Sequence, residues 1–401
     1  MNYSASEIRQ YVEEEDVKFL RMTFFDMAGK QKNIAILPAS LDRAFSEGIA
    51  FDASAVGFGD EMHSDLFLQP DTSTLCLLPW RPDHGRVARM FCRIVRGDGT
   101  PYEGDARAVL QKAVEDAEAR GVSFAFGSEM EFYLFRRDAD GEPTRIPYDH
   151  AGYMDIAPED KGENVRREIS LTLEQMGILP ECSHHEQGPG QNEVDFRYAS
   201  PVKAADDAVT FRAVVNTVAV RSGLAAEFSP KPLRSEPGNG MHINISAQSR
   251  TGEDIMPQVI AGILAHIEEM TAFLNTVPSS YQRLGNCKAP RYISWSEENR
   301  SQLIRIPAAH GEYRRAELRS PDPLCNPYIA YTLLIRAGLD GVEKHMELPE
   351  AADVNFFTAP EEVRKQYKTL PPTLADARTV ARTSEFIASS LPKSLVAYYT
   401  K

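Results

Sequence analysis

What the chain lacks narrows its function first. No apolar run among its 401 residues is long enough to span a bilayer. Met1-Asn2-Tyr3-Ser4 leads into a charged segment with no apolar signal core, so the expected setting is cytoplasmic, without a membrane partner. Positive charge is in short supply. A net charge of −14 argues against nucleic acid or an anionic membrane, both of which need a basic face. Cysteine is sparse as well. Cys76, Cys92, Cys182, Cys287 and Cys325 form no CxxC pair, which reads as reduced thiols rather than a disulfide frame or zinc site. The nucleotide-binding fingerprints are missing too. Gly29-Lys30 lacks the earlier glycine and the following Ser/Thr of a P-loop, and Gly188-Pro189-Gly190 lacks a third glycine and opens no helix. Any nucleotide must be held by another fold. No repeat or low-complexity tract is present.

What remains is an ordinary globular composition, 42% hydrophobic and 25% charged, in a chain long enough for two domains. The turn formers Arg96-Gly97-Asp98-Gly99-Thr100-Pro101 mark the boundary, dividing 1–100 from 101–401. Ahead of it the pattern predicts a helix over 6–15 and strands over 17–25 and 33–37. The turn Asp26 to Lys30 joins these strands as a hairpin, and short strands follow near Ile49, 74–78 and 87–94. Beyond it, Asp105 caps a helix over 106–120 that Gly121 ends. Strands are predicted over 122–126 and 130–135, and helices over 164–176, 204–221, 257–275 and 327–344. Two or three short helices fill 374–400.

Carboxylates and histidines carry the chemistry. Glu129 and Glu131 are two apart in a predicted strand, so both project from one face. Such a pair alone is commonly a solvated face. Here Phe124, Phe126, Phe132, Tyr133, Leu134 and Phe135 surround it, and carboxylates in apolar surroundings need compensating charge, for which metal ions are the obvious source. His184-His185-Glu186 and Gln191-Asn192-Glu193 flank the Gly188-Pro189-Gly190 turn, which can bring Glu186 near Glu193; a polar surface loop is the alternative. His242 follows Gly238-Asn239-Gly240 and opens an alternating strand, where a lone histidine is as readily a satisfied core residue. Glu317 shares a face with Arg315 and Arg319 if that stretch is a strand, and a charge-laced edge is the bland reading. Five glutamates and one histidine offer mostly oxygen ligands, which suit magnesium or manganese better than zinc. Two such ions could hold a nucleotide phosphate and an acceptor carboxylate. Arg283, Arg300, Arg305, Arg315 and Arg319 could grip carboxylate and phosphate oxygens with two-pronged geometry. Phosphoryl transfer needs alignment and charge neutralisation, and this set can supply both.

The same stretches resemble the glutamine synthetase family, in a short form of the bacterial type I group. Phe51-Asp52-Ala53-Ser54 is similar to its FDGSS loop, Gly127 to Phe132 to its first metal strand, and His184 to Glu193 to HHE…GQNE. Gly238 to His242 resembles GSGMH, Asn299 to Pro307 resembles NRS…IRIP, and Glu317 to Tyr328 resembles EVRFPDP…NPY. The resemblance implies an α+β fold: an N-terminal β-grasp domain and a large catalytic domain with an antiparallel-rich sheet flanked by helices. It implies ATP-dependent formation of γ-glutamyl phosphate from glutamate, then of an amide with ammonia. Two or more magnesium or manganese ions would serve each site, and subunits would assemble as two stacked hexamers. Glu131, Glu186 and Glu193 would hold the ion that orients glutamate; Glu129, His242 and Glu317 would hold the ion on the ATP phosphates. Arg283, Arg319 and Gly238 would bind glutamate. Arg300, Arg305 and Arg315 would hold phosphates, while Glu181, Tyr198 and Ser246 fall where the family contacts ATP. Asp52 falls where it binds ammonium, in a neighbouring subunit's site.

The departures matter as much. The family flap reads Glu-Ala-Pro, its glutamate taking a proton from incoming ammonium; this chain reads Lys288-Ala289-Pro290. A lysine cation repels ammonium and cannot accept its proton. Asn244 replaces a second histidine, and Pro237 stands where asparagine is frequent. Asn355-Phe356-Phe357 lacks the tyrosine that some relatives adenylylate, so no such control is expected. Two alternatives follow: a γ-glutamyl ligase for another amine, or a non-catalytic regulator of the same fold.

Overall fold

The computed structural model describes every residue except 1, 2, 60, 83, 310 and 312–314, together with the side chain at 61. The first two residues of the charged N-terminal segment thus lie outside it. Two compact units are formed, Met1–Gln111 with Gln175–Gly177, and Lys112–Glu174 with Ile178–Lys401.

The first unit begins with the helix Ala5–Glu14. Ser4 and Glu7 close a capping box at its start, satisfying amide donors that a helix N-terminus leaves free. Its strands are β1 (Val17–Phe25), β2 (Gln31–Ile36), β3 (Ile49–Asp52), β4 (Asp65–Pro70), β5 (Cys76–Leu77) and β6 (Arg86–Val95). Among the described residues they form one sheet in the order β2-β1-β6-β4-β3, with β5 on β6. The β1–β2 hairpin is the predicted one. Its turn closes where the Asp26 carboxylate accepts from the Lys30 amide at 2.9 Å, and Gly29 takes a φ of 76° that an L side chain rarely adopts. β1 and β6 run parallel.

The second unit is built on β7 (Val122–Arg137), 16 residues long. Two separate strands were expected, broken at Gly127-Ser128-Glu129. They are one because β12 (Met241–Ser249) pairs with the entire stretch from Val122 to Met130. Gly127 is there for close approach, since a Cβ on it would lie 3.3 Å from the Tyr198 Cβ. Ser128 is satisfied by the Tyr331 hydroxyl. The remaining strands are β8 (Pro143–Pro147), β9 (Pro180–His185), β10 (Gln191–Phe196), β11 (Leu224–Glu227), β13 (Trp295–Glu297), β14 (Ile304–Ile306) and β15 (Ala316–Leu318). Among the described residues the sheet runs β13-β14-β15-β12-β7-β10-β9, with β8 and β11 also on β7.

Strand alternation divides this sheet into two chemistries. Phe126, Met130, Phe132, Val194, Ile243, Ile245 and Leu318 are buried against helices. The helices Pro201–Arg221, Met256–Leu274 and Pro327–Glu343 pack behind the sheet; Phe126 stacks on Tyr331 with centroids 4.4 Å apart. The last two of these helices cross closely. A Cβ on Gly262 would lie 2.1 Å from the Ala337 carbonyl, and one on Gly341 would lie 2.0 Å from the Gln258 carbonyl. The intervening residues of the same strands point the other way and carry the charges. No helix among the described residues is long and apolar enough to cross a membrane.

Candidate active site

Strand register assembles the polar face. Glu129 pairs with His242 across β7–β12, and Asn244 with Glu317 across β12–β15. On the other side of β7, Glu131 pairs with Glu193 of β10, which pairs with His184 of β9. Arg305 of β14 pairs with Glu317. Residues scattered from 129 to 317 thus form one row because six strands align them.

Two local devices complete the row. The β9–β10 hairpin turns at Gly188-Pro189-Gly190, with the Glu186 amide donating to the Gln191 carbonyl at 2.8 Å. A Cβ on Gly190 would lie 2.8 Å from the Leu134 carbonyl, and its φ is 68°. In Gly238-Asn239-Gly240 the two glycines, lacking side chains, admit Arg283 and His242. A Cβ on Gly240 would stand 2.6 Å from an Arg283 guanidinium nitrogen and 2.8 Å from His242 Nε2. Arg283 is locked there by donating to the carbonyls of Ser320 (2.9 Å) and Arg319 (3.1 Å).

Two trios made of predicted ligands have donor atoms within 4.8 Å of one another, Glu129 with His242 and Glu317, and Glu131 with Glu193 and His242; His184, Glu193 and Asp195 form another such group alongside. His242 Nδ1 is 3.6 Å from both the Glu129 and Glu317 carboxylates. The sixth predicted ligand, Glu186, belongs to neither trio. It lines the same cavity and is tied in by His184, whose Nδ1 is 3.4 Å from Glu186 and whose Nε2 is 3.3 Å from Glu193. Glu317 is fully buried, gripped by Arg305 and by an Arg319 guanidinium nitrogen at 2.6 Å.

All of these except the buried Glu317 line a cavity of about 290 Å³, together with Gly238, Arg283, Lys288, Arg300, Arg305, Arg315 and Arg319. Glu181, Tyr198 and Ser246 line an adjoining one of about 180 Å³, which shares Glu129, Asp195 and Arg315 with the first. Every predicted site residue is therefore at one of these two cavities except Glu317, which is buried against Arg305 and Arg319 of the first, and Asp52. That residue ends β3 in the first unit, exposed, its carboxylate accepting from the Ser54 hydroxyl at 2.6 Å.

The electrostatics are uneven. Burial and Glu131 push Glu186 up to about 8, although Lys288 and Arg300 pull the other way. Burial and the carboxylates of Asp195, Glu131, Glu129 and Glu186 hold Glu193 well above the usual carboxylate range. Burial and Glu129 bring Asp195 to about 7. Burial would raise Glu129 too, but hydrogen bonds from His242 and Asn244 overcome it and bring it to about 2. Burial likewise acts on Glu317, where Arg319 and His242 prevail and its pKa is lowered. Carboxylates crowded this closely, with one imidazole, suit a hard divalent cation taking oxygen ligands. The arginine side also has spare capacity: the Arg319 Nε is buried with no hydrogen-bond partner among the described residues.

Asp195 and His184 are the residues missing from the sequence-based set. Asp195 follows Glu193 by two on β10, so strand alternation alone puts it on the same face. His184 is in the recognised stretch, but only the register shows that it bridges two glutamates.

Residues 103–401 match the glutamine synthetase catalytic domain, and residues 16–97 match the glutamine synthetase β-grasp domain. The chain belongs to the glutamine synthetase family. It is 42% identical to the glutamine synthetase of Methanosarcina mazei over 98% of this chain and 92% of that protein. It is 41% identical to that of Clostridium saccharobutylicum, covering 97% and 91%. Among solved structures, a GmaS/ADP complex aligns with a TM-score of 0.88 at 26% identity, over 100% of this chain and 94% of that one. The Plasmodium falciparum glutamine synthetase aligns with a TM-score of 0.86 at 20% identity, over 100% and 95%, a likeness of fold. The architecture is accordingly the family's α+β pairing of a β-grasp domain with a large catalytic domain of mixed sheet and helices.

Proposed function

We propose that this chain is an ATP-dependent ligase that phosphorylates the γ-carboxylate of glutamate and then forms an amide with ammonia. One observation carries the reading: Glu129, Glu131, Glu193 and His242 line one cavity together with five arginines, and strand register sets the buried Glu317 in the same row. Relatives about 40% identical over nearly the whole chain are named glutamine synthetase, which supports it.

In this reading Glu129, His242 and Glu317 hold one dication, and Glu131, Glu193 and Glu186 hold a second. Magnesium or manganese fits this donor set. When bound, the ions supply charge neutralisation for phosphate oxygens and for the glutamate γ-carboxylate. The chain's own groups do the rest. Arg283, anchored to two carbonyls beside Gly238, presents a fixed cation to a substrate carboxylate. Arg319, with its unused Nε, and Arg300, Arg305 and Arg315 stabilise charge on the transferring phosphoryl group. Glu181, Tyr198 and Ser246 form the adjoining nucleotide pocket. Residues 1–100 and 101–401 act as the β-grasp and catalytic domains, and Asp52 serves a neighbouring subunit in a ring of two stacked hexamers. Free thiols fit a cytoplasmic setting.

Lys288 qualifies the second half of the reaction. It lines the cavity, where the proposed chemistry calls for a carboxylate to accept a proton from ammonium. We therefore keep another amine as an alternative acceptor. Phosphate release from ATP with glutamate and magnesium, with ammonia or a panel of amines, tests the reading. ATP binding without turnover on any amine would favour a regulatory role instead.

A further inference from the structure

A third cavity, of about 680 Å³, opens beside the catalytic one in the same unit. Gln187, Pro237 and Lys288 line both, so the flap lysine stands at their shared rim. The annex has a marked composition in a chain of net charge −14. Three cations line it, Lys288, Arg291 and Arg364, and no carboxylate among the described residues does. None of the three forms an ion pair among the described residues. The Arg364 Nε is buried without a hydrogen-bond partner among the described residues. Such a donor is costly to leave unsatisfied and is matched by an anion. An aromatic wall, Tyr292 stacked on Phe356 at 4.6 Å, lends the cavity an apolar side. Cys287 and Lys288 both take positive φ, 46° and 68°, a backbone that L residues adopt at a cost and that concentrates at functional sites.

From this geometry we infer that the annex receives the far end of the acceptor amine, and that this end carries a carboxylate. The inference rests on the ligase reading above, in its alternative form with an acceptor other than ammonia, and names the class of that acceptor. Ammonium and simple alkylammonium ions meet a like charge at Lys288, whereas an amino acid zwitterion brings a carboxylate that Lys288, Arg291 and Arg364 can hold. The aliphatic segment between its two ends lies along the aromatic wall. The chemistry balances without a further reactant. The bound ammonium group first gives one proton to solvent. The neutral nitrogen then bonds to the acyl carbonyl carbon of γ-glutamyl phosphate, the C–O bond to phosphate breaks with its electron pair leaving on phosphate, and the nitrogen's surplus proton passes to that phosphate.

Three amines of similar length separate the charge of the far end: 4-aminobutyrate (anionic), n-butylamine (uncharged) and 1,4-diaminobutane (cationic). Steady-state phosphate release by the full-length protein with ATP, glutamate and magnesium should rank them in that order. The step from 4-aminobutyrate to n-butylamine should cost at least about tenfold in kcat/KM, as expected for one or two charge-assisted hydrogen bonds. Arg291→Gln and Arg364→Gln should raise the KM for 4-aminobutyrate severalfold, leaving kcat with hydroxylamine, which has no far end, unchanged. Equal or better use of the diamine would overturn the inference. So would inhibition by 4-aminobutyrate without its consumption, or variants that leave its KM unaltered. γ-Glutamyl hydroxamate formation from hydroxylamine separates the two levels. If the hydroxamate forms without any carboxylate preference, only the annex assignment fails; if none forms, the ligase reading fails and the annex assignment with it.

Discussion

A dication entering the main cavity at pH 7 should expel protons. With Glu186 at about 8, roughly nine-tenths of its carboxyls are protonated at neutrality. Glu193 is also held well above the usual carboxylate range, by burial and the surrounding carboxylates, and Asp195, at about 7, is close to half-protonated. Oxygen ligation requires the carboxylate, so binding one ion to Glu186 and Glu193 should release on the order of one to two protons. The sign follows from the raised values. Between the ordinary glutamate range and about 8, the folded protein holds protons that the unfolded chain has given up. Raising pH through that window lowers the stability of the metal-free form. Metal affinity moves oppositely, rising roughly tenfold per pH unit for each proton displaced. Calorimetric titration with magnesium at pH 7, in buffers of different ionisation enthalpy, reads the proton count as the slope of observed against buffer enthalpy. Glu186→Gln should lower that slope by about 0.9. A flat plot for the unaltered protein, or a slope that Glu186→Gln leaves alone, would refute the crowded-carboxylate picture.

Glu317→Ala should leave the guanidinium groups of Arg305 and Arg319 without their shared buried counter-charge, a loss of about 3–5 kcal/mol in urea unfolding if the site does not rearrange. Gly262→Val should lower the melting temperature sharply. The new side chain would collide with the Ala337 carbonyl at the helix crossing, and overpacking of this kind costs at least about 1–3 kcal/mol. Lys288→Glu should raise kcat/KM for ammonia by restoring an acceptor for its proton, typically worth about 10²-fold or more when well placed; no gain, with efficient synthesis by the unaltered protein, would show that a flap carboxylate is dispensable.

The long elements were legible because their signals are dense. Helices seen at Glu163–Gln175, Met256–Leu274 and Pro327–Glu343 match the predicted spans within a residue or two. The β1–β2 hairpin was marked by its turn residues. The shared face of Glu129 and Glu131 was legible because motif and alternation agree: both lie on one side of β7. The break expected inside β7 was wrong, because Gly127 reads locally as a turn former while its role is to admit Tyr198. β13, β14 and β15 have three residues each, too few for any periodicity to register, and they form only because a neighbour is there to pair with. The annex was invisible for a related reason. Gln187, Lys288 and Arg364 are distant in sequence, and nothing local links them.

One consequence of β7 reaches beyond any single ligand. Glu129 and Glu131 are successive outward positions on one continuous strand, so their Cα atoms are spaced by two pleat steps, about 6.6–6.8 Å. The backbone therefore acts as a fixed gauge between the two donor trios. A larger or smaller ion has to be accommodated by swinging carboxylates, not by widening that gauge. Whatever tugs on the strand shifts both trios in concert.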